Sequence, residues 1–249
     1  MKYLKLLLVS CAILFYFIDV SAQKKKEKKK DENIIASALK SFKFRSIGPA
    51  FMSGRIADIA IDETNENVWY VAVGSGGVWK TENAGTTWNP IADNMPFYST
   101  GCITIDPSNN SSIWLGTGEN VGGRHVGIGH GVYHSSDAGK SWKNMGLKNS
   151  EHISKIIVHP NNSNVIWVAA QGPLWSSGGD RGLFKSVDGG KTWENKLEIN
   201  EWTGVTDLVI NPENPNILYL ASWQRHRNIA ALMDGGPGTA LYKSVDGGE

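Results

Sequence analysis

The octapeptide Ser186-Val187-Asp188-Gly189-Gly190-Lys191-Thr192-Trp193 constrains this chain more than any other stretch, because the chain repeats it. Earlier copies are Thr81-Glu82-Asn83-Ala84-Gly85-Thr86-Thr87-Trp88 and Ser135-Ser136-Asp137-Ala138-Gly139-Lys140-Ser141-Trp142. Ser244-Val245-Asp246-Gly247-Gly248-Glu249 opens a fourth. Each copy has the chemistry of a tight turn. The Asp, or Asn83 in the first copy, accepts backbone N–H groups as in an Asx-turn. Gly85, Gly139, Gly190 and Gly248 suit a positive φ. Trp88, Trp142 and Trp193 are expected to carry their indoles into the interface with the next unit, where burial of one ring is worth about 2–3 kcal/mol. A residue present in every unit serves the unit, so Asn83, Asp137, Asp188 and Asp246 read as turn staples, not as catalytic or calcium-binding groups.

The period decides the architecture. Trp88, Trp142 and Trp193 lie 54 and 51 residues apart, and Asp188 and Asp246 lie 58 apart. Every unit shows four parts in one order. An apolar strand ends in an Asp/Asn/Pro turn (56–62, 102–107, 156–160, 208–212). An aromatic and β-branched strand follows (68–73, 113–116, 165–169, 217–221). A short strand leads into the turn motif (77–80, 131–134, 182–185, 240–243), and a last strand opens with Thr/Ser-Trp (87–91, 141–145, 192–197). Four short strands per period of about 50 residues predict an all-β β-propeller with four-stranded blades, each burying its faces against its neighbours. Residues 42–249 are assigned to about four such blades, the last incomplete, with the remaining blades expected from a longer parent chain.

The ends read differently. Residues 1–22 carry Lys2 and Lys5, an apolar run over 6–17 and the small-residue site Val20-Ser21-Ala22, the pattern of a secretory signal. Leu8-Val9-Ser10-Cys11 offers lipidation at Cys11 as the alternative to cleavage after Ala22. The expected location is periplasmic, cell-surface or extracellular, with no stable membrane span, since the apolar run is shorter than the ~20 residues a span needs. Residues 23–41 form a charged linker and lead-in. Residues 1–32 hold eight Lys and four acidic side chains, which leaves 17 of the 25 basic and 20 of the 24 acidic groups to the rest. That acidic balance argues against a nucleic-acid partner. Cys102 is the one cysteine left after the signal, so stability rests on packing and not on a disulfide.

The turn motif resembles the Asp-box (BNR) repeats of sialidases, of certain endo-acting glucanases and of sortilin-type propellers. Phe44-Arg45-Ser46-Ile47-Gly48-Pro49, Ser53-Gly54-Arg55-Ile56, Gly76-Gly77-Val78-Trp79-Lys80-Thr81, Gly116-Thr117-Gly118-Glu119-Asn120, Gly172-Pro173-Leu174-Trp175 and Asp234-Gly235-Gly236-Pro237 resemble the large exported bacterial proteins labelled sortilin-like, BNR-repeat or glycosyl hydrolase. The resemblance implies a propeller and leaves activity open. The substrate-gripping Arg of sialidases would be Arg45, in a stretch with extra residues. The position of the glucanases' first-blade catalytic Asp is Gly74.

Up-and-down blades put the loops between strands two and three, and those between blades, on one face. The turn motifs lie on the other. The two-to-three connections are long in blade two (118–131), blade three (171–182) and blade four (223–239), where function usually sits on such scaffolds. Candidate ligand-binding residues are Arg55, Asn120, Arg124, Gln171, Trp175, Arg181, Trp223, Arg225 and Arg227. Tyr98, His125, His130, His152, Trp202, Gln224 and His226 stand nearby in the chain. Asp180 with Arg181, and Asp234 with Arg225, are equally readable as loop ion pairs, and Trp175 and Trp202 as packing residues. Glu119, Asp180 and Asp234 are the carboxylates available to a glycosidase, which needs a pair within about 5–9.5 Å. The spacing of His125 and His130 lacks a third ligand, so no metal or cofactor is expected. The leading expectation is a scaffold binding an extracellular glycan or protein; the alternative is a glycoside hydrolase with carboxylates partly outside this segment.

Overall fold

The computed structural model describes residues 55–249; the signal, the lipidation site, the linker, the lead-in and Arg45 lie outside the described residues. The described part is almost wholly β, and its strands form four antiparallel sheets that follow the sequence repeat. Blade one contains β1 (Ile56–Ile61), β2 (Trp69–Val73), β3 (Gly77–Thr81) and β4 (Asn89–Pro90). Blade two contains β5 (Thr100–Asp106), β6 (Asn109–Thr117), β7 (Val132–Ser135) and β8 (Lys143–Gly146). Blade three contains β9 (Ile153–His159), β10 (Asn162–Ala170), β11 (Gly182–Ser186) and β12 (Glu194–Leu197). Blade four contains β13 (Thr203–Ile210), β14 (Leu218–Arg227), β15 (Leu232–Asp234) and β16 (Leu241–Ser244). A 3-10 turn at Lys148–Ser150 precedes blade three. The fold is therefore an arc of four propeller blades. Among the described residues no helix is long and apolar enough to cross a membrane.

The turn motif works as its chemistry implies. Ser135 Oγ donates to Asp137 Oδ1 at 2.7 Å and accepts Gly139 N at 2.8 Å, while Asp137 accepts Ser141 N at 2.8 Å and Ser141 Oγ at 2.6 Å. Ser186, Asp188, Gly190 and Thr192 repeat the set. Thr81, Asn83, Gly85 and Thr87 follow with one reversal: Asn83 Oδ1 accepts Thr81 Oγ1 and Thr87 N, but Asn83 Nδ2 donates to Thr87 Oγ1. These bonds hold the Asp137 and Asp188 carboxyls down at about 2, chiefly through Ser141 and Thr192. Two residues per turn have positive φ, not one. The Gly is preceded by Ala84 (φ 51), Ala138 (φ 59), Gly189 (φ 75) or Gly247 (φ 75).

Two expectations need correction. The last strands begin about two residues later than the Thr/Ser-Trp pair, because Thr87, Ser141 and Thr192 still donate their N–H groups to the turn side chain. Trp142 and Trp193 face the preceding blade, not the next, and Trp88 stands edge-on to Trp69 of its own blade. Trp142 packs on a core of Tyr70, Ala72 and Val78 from blade one with Ile113 and Leu115 from blade two. Trp193 joins the core between blades two and three. Their indole N–H groups reach Ile91 O (3.1 Å), just after β4, and Met145 O (2.6 Å) on β8 of the previous blade.

A third core holds Trp167, Ala169 and Leu183 against Val205, Leu208 and Leu218 of blade four. Inner strands are stitched across blades by Thr104 Oγ1 to Ile156 O (2.7 Å) and Ser154 Oγ to Val205 O (3.0 Å). Cys102 is buried in the second interface, and burial pushes its thiol up, so it acts there as a small apolar residue.

Candidate functional site

The loop face differs from the turn face in that its side chains bond across blades. The loop of blade two (118–131) leaves β6 with Gly118 at φ 86 and returns at Gly131 with φ 83, both where a side chain would strike backbone. β14 overshoots its blade. Residues expected to be loop continue as strand to Arg227, and Arg225, His226 and Arg227 pair with Asp234, Met233 and Leu232 of β15. The resulting hairpin reaches the loop of blade two. Arg225 Nη1 donates to Val121 O (2.9 Å), Arg227 Nε to Gly122 O (3.0 Å), and Arg124 Nη2 to Ile229 O (3.1 Å). Arg227 N also donates to Leu174 O of blade three, next to Trp175. Residues about 104 apart in sequence thus meet above blade three.

Within this junction the expected residues divide by role. Arg225 is fully buried, and burial, with Arg181 repelling it, brings its guanidinium down to about 9. It lies 5.2 Å from the Trp223 ring. Arg181 is buried and its donors meet the carbonyls of Gly178, Gln171, Pro173 and Ser176. Burial lowers it to about 10. Both cations brace loops: the Arg181 donors and the Nη groups of Arg225 are aimed at carbonyls and not at solvent, while Arg225 Nε is buried without a partner. Gln171 is buried too, with Nε2 on Thr206 Oγ1 (3.0 Å).

Glu119 is held on three sides. Oε1 accepts Arg55 Nη2 at 2.5 Å and Oε2 accepts Gly127 N at 3.1 Å; its own N–H reaches Ser99 Oγ at 3.1 Å. Arg55 Nη1 meets His125 Nε2 at 2.7 Å. A Cβ at Gly74 would collide with Glu119 Oε1, so the absent side chain at 74 is the space that Glu119 occupies.

Asp180 is not paired with Arg181; it accepts Asn149 N at 3.0 Å and fastens the loop of blade three. Asp234 is exposed and faces Arg225 across the β14–β15 ladder, and its charge supports the buried cation. Trp175 is exposed, Asn120 and Trp223 are half-buried, and Arg124 is exposed. Trp202 packs edge-on against His226 at 4.2 Å. The accessible rim therefore comprises Arg55, Asn120, Arg124, Trp175, Trp223, Arg227 and Asp234. Among the described residues no group of three or more His, Cys, Asp or Glu is placed to hold a metal.

Glu151 is a member that sequence reasoning missed. It has φ 62, its carbonyl accepts Gly129 N at 2.8 Å, and burial raises its carboxyl against the pull of Arg181 and Arg225. Beside it His152 is buried and brought down to about 3, first by burial and then by Arg225. Nothing in the local sequence marks Glu151, because its shift comes from burial that exists only once the blades are stacked.

No protein-family profile matches the chain. Among curated proteins it is 21% identical over 229 residues to a probable oligoxyloglucan-reducing end-specific xyloglucanase of Neosartorya fischeri, covering 84% of this chain and 24% of that protein. It is 25% identical over 172 residues to a xyloglucanase of a Paenibacillus species, covering 67% of this chain and 16% of that protein. Among solved structures, an ancestral GH74 enzyme matches with a TM-score of 0.59 at 21% identity, over 82% of this chain and 24% of the other. A GH74 enzyme of Niastella koreensis matches with a TM-score of 0.57 at 21% identity, over 79% and 28%. The chain thus spans about a quarter or less of the curated relatives named here, and the structural likeness is one of propeller fold.

Proposed function

We propose that this chain is part of an exported, glycan-directed β-propeller of glycoside-hydrolase type, whose loop face receives a polysaccharide. The observation that carries the reading is the junction of the blade-two loop with the β14–β15 hairpin. It makes a rigid rim in which indoles stand among guanidinium, amide and carboxylate groups. Sugar faces stack on indoles, and hydroxyl groups take charged and neutral hydrogen bonds, so such a rim suits an extended glycan. Sequence similarity to xyloglucanases supports cleavage over the non-catalytic scaffold that the sequence first suggested. The signal-like residues 1–22 support export.

In this reading Arg55, Asn120, Arg124, Trp175, Trp223 and Arg227 bind the polymer, and Arg181, Gln171 and Arg225 hold the loops that carry them. Asp234 is the accessible carboxylate this chain brings to the sugar, Glu119 fixes Arg55, and a second acid comes from outside residues 1–249. The test is reducing-end release from xyloglucan and a panel of other polysaccharides by the longer protein, with affinity electrophoresis on the same panel. Release abolished by Asp234→Asn with binding retained supports the hydrolase. Binding without release restores the scaffold, and a folded protein with neither property overturns the glycan reading.

A further inference from the structure

The chain contains three Asp-Gly pairs, Asp188-Gly189, Asp234-Gly235 and Asp246-Gly247, and each is followed by a second Gly. Such a pair has a reaction of its own. The Gly amide nitrogen attacks the Asp side-chain carbonyl carbon, and glycine, having no Cβ, puts little in the way. The N–Cγ bond forms, the carboxyl OH leaves with the amide proton as water, and a cyclic imide results. Water then opens the ring. Attack at Cγ regenerates Asp. Attack at the main-chain carbonyl breaks its bond to the Gly nitrogen and gives isoaspartate, in which the chain runs through Cβ and Cγ and the α-carboxylate is free. Water is the only co-reactant, and nothing is oxidised or reduced. The local sequences match, so the fold decides which pair reacts.

Two of the pairs are shut. Asp188 Oδ1 accepts Ser186 Oγ at 2.8 Å and the N–H groups of Lys191 and Thr192 at 3.0 Å, and Oδ2 accepts Thr192 Oγ1 at 2.7 Å. The attacking atom is engaged as well, since Gly189 N donates to Asn164 O at 3.0 Å. These donors, Thr192 foremost, hold the Asp188 carboxyl ionised down to about 2, and the ionised form does not shed its oxygen as water. In the third pair Asp246 Oδ1 accepts Ser244 Oγ at 2.6 Å, and Gly247 N donates to Asn216 O at 2.9 Å.

Asp234 differs at each of these points. It ends β15 and is exposed. Among the described residues its carboxylate accepts no hydrogen bond, and the Gly235 N–H makes none like those of Gly189 and Gly247. A Cβ on Gly235 would meet nothing within 4 Å, so the ring has room to close. The carboxylate lies over the loop of blade two, where a Cβ on Gly122 would stand 3.8 Å from Asp234 Oδ1. From this contrast among matched sequences, we infer that Asp234-Gly235 is a site of spontaneous isoaspartate formation. The product has one more main-chain carbon at the end of β15, opposite Arg225, and its carboxylate no longer ends a side chain. The modification does not depend on the glycan reading; where that reading holds, the acid offered to the sugar is the residue that ages.

The test follows the longer protein at neutral pH, native and unfolded in urea, by peptide mapping with electron-transfer fragmentation. That method separates isoaspartate from Asp at equal mass, and the imide is lighter by one water. In the native protein isoaspartate is expected to accumulate at 234 about tenfold faster than at 188 or more, because the turn at 188 must open before it can react. Unfolding should bring the two rates together. Equal accumulation at 188 and 234 in the native protein, or a ratio that unfolding leaves unchanged, overturns the inference. So does native Asp234 that stays unmodified while the unfolded protein converts there.

Discussion

The two faces of the arc are stabilised in opposite ways. On the turn face one short piece of sequence is used four times, and each copy satisfies itself: Ser135, Asp137, Gly139 and Ser141 bond within seven residues. On the loop face each loop is different, and the bonds run from Arg225 to Val121 and from Arg124 to Ile229. The turn carboxylates are held low at the surface, by hydroxyl and amide donors. The loop cations are buried and lowered by desolvation. Repetition builds the scaffold from local bonds, and the site is assembled from long-range bonds that only the finished arc can make.

The strongest way to break this contrast is to remove the buried cation of the loop face. Arg225→Met leaves Val121 O and Gly172 O without their donor in a dry junction, and an expected loss of about 3–4 kcal/mol follows. Urea unfolding measures it; a loss below about 1 kcal/mol would mean that the junction is not a brace.

A second effect is set by pH. His152 has a folded pKa below its unfolded value, so the unfolded chain binds the extra proton between about pH 6.5 and about 3. Stability from this group is therefore present above pH 6.5 and falls as pH drops toward 3, by at most about 1.4 kcal/mol per pH unit. Unfolding midpoints of wild type and His152→Gln across that window should converge as pH falls.

The turn face should respond more weakly and in a lower window. Asp188→Ala is expected to lower Tm by a few degrees at pH 7. Its carboxyl is depressed to about 2, so the stabilisation is present above the ordinary value of 3.8 and fades as pH falls through 2. Thermal scans of both proteins at pH 7 and pH 2 separate this from a loss of packing. The smallest effect sharpens the comparison between copies. Ala138 holds φ 59 where blades three and four have Gly, so Ala138→Gly is expected to stabilise by about 0.5 kcal/mol, the relief of left-handed strain less the added chain entropy. Gly189→Ala should show the converse in the same denaturation assay.

Much of the scaffold was legible because its signals are local. The order of strands, the turn hydrogen bonds and the glycines at 85, 139, 190 and 248 follow from residues within one repeat. The direction in which Trp142 and Trp193 point was not legible, since a period says that blades adjoin and not which neighbour an indole faces. The strand character of Arg225–Arg227 was missed because its partner β15 lies in an exposed, Gly-rich segment. The candidate residues were read loop by loop, and sequence could not separate Arg124, which is exposed, and Arg227, which is half-buried, from Arg181 and Arg225, which are buried.

By itself the sequence determined the repeat, the four-stranded blade and the turn that ends each third strand, because hydrogen bonds over two to four residues and strand alternation need no distant partner. Tertiary structure decided which blade each Trp enters and which arginines are buried. It also decided that Glu119 fills the space left by Gly74. Those outcomes depend on desolvation and packing between residues 50 to 105 positions apart, and such pairings exist only once the blades are stacked.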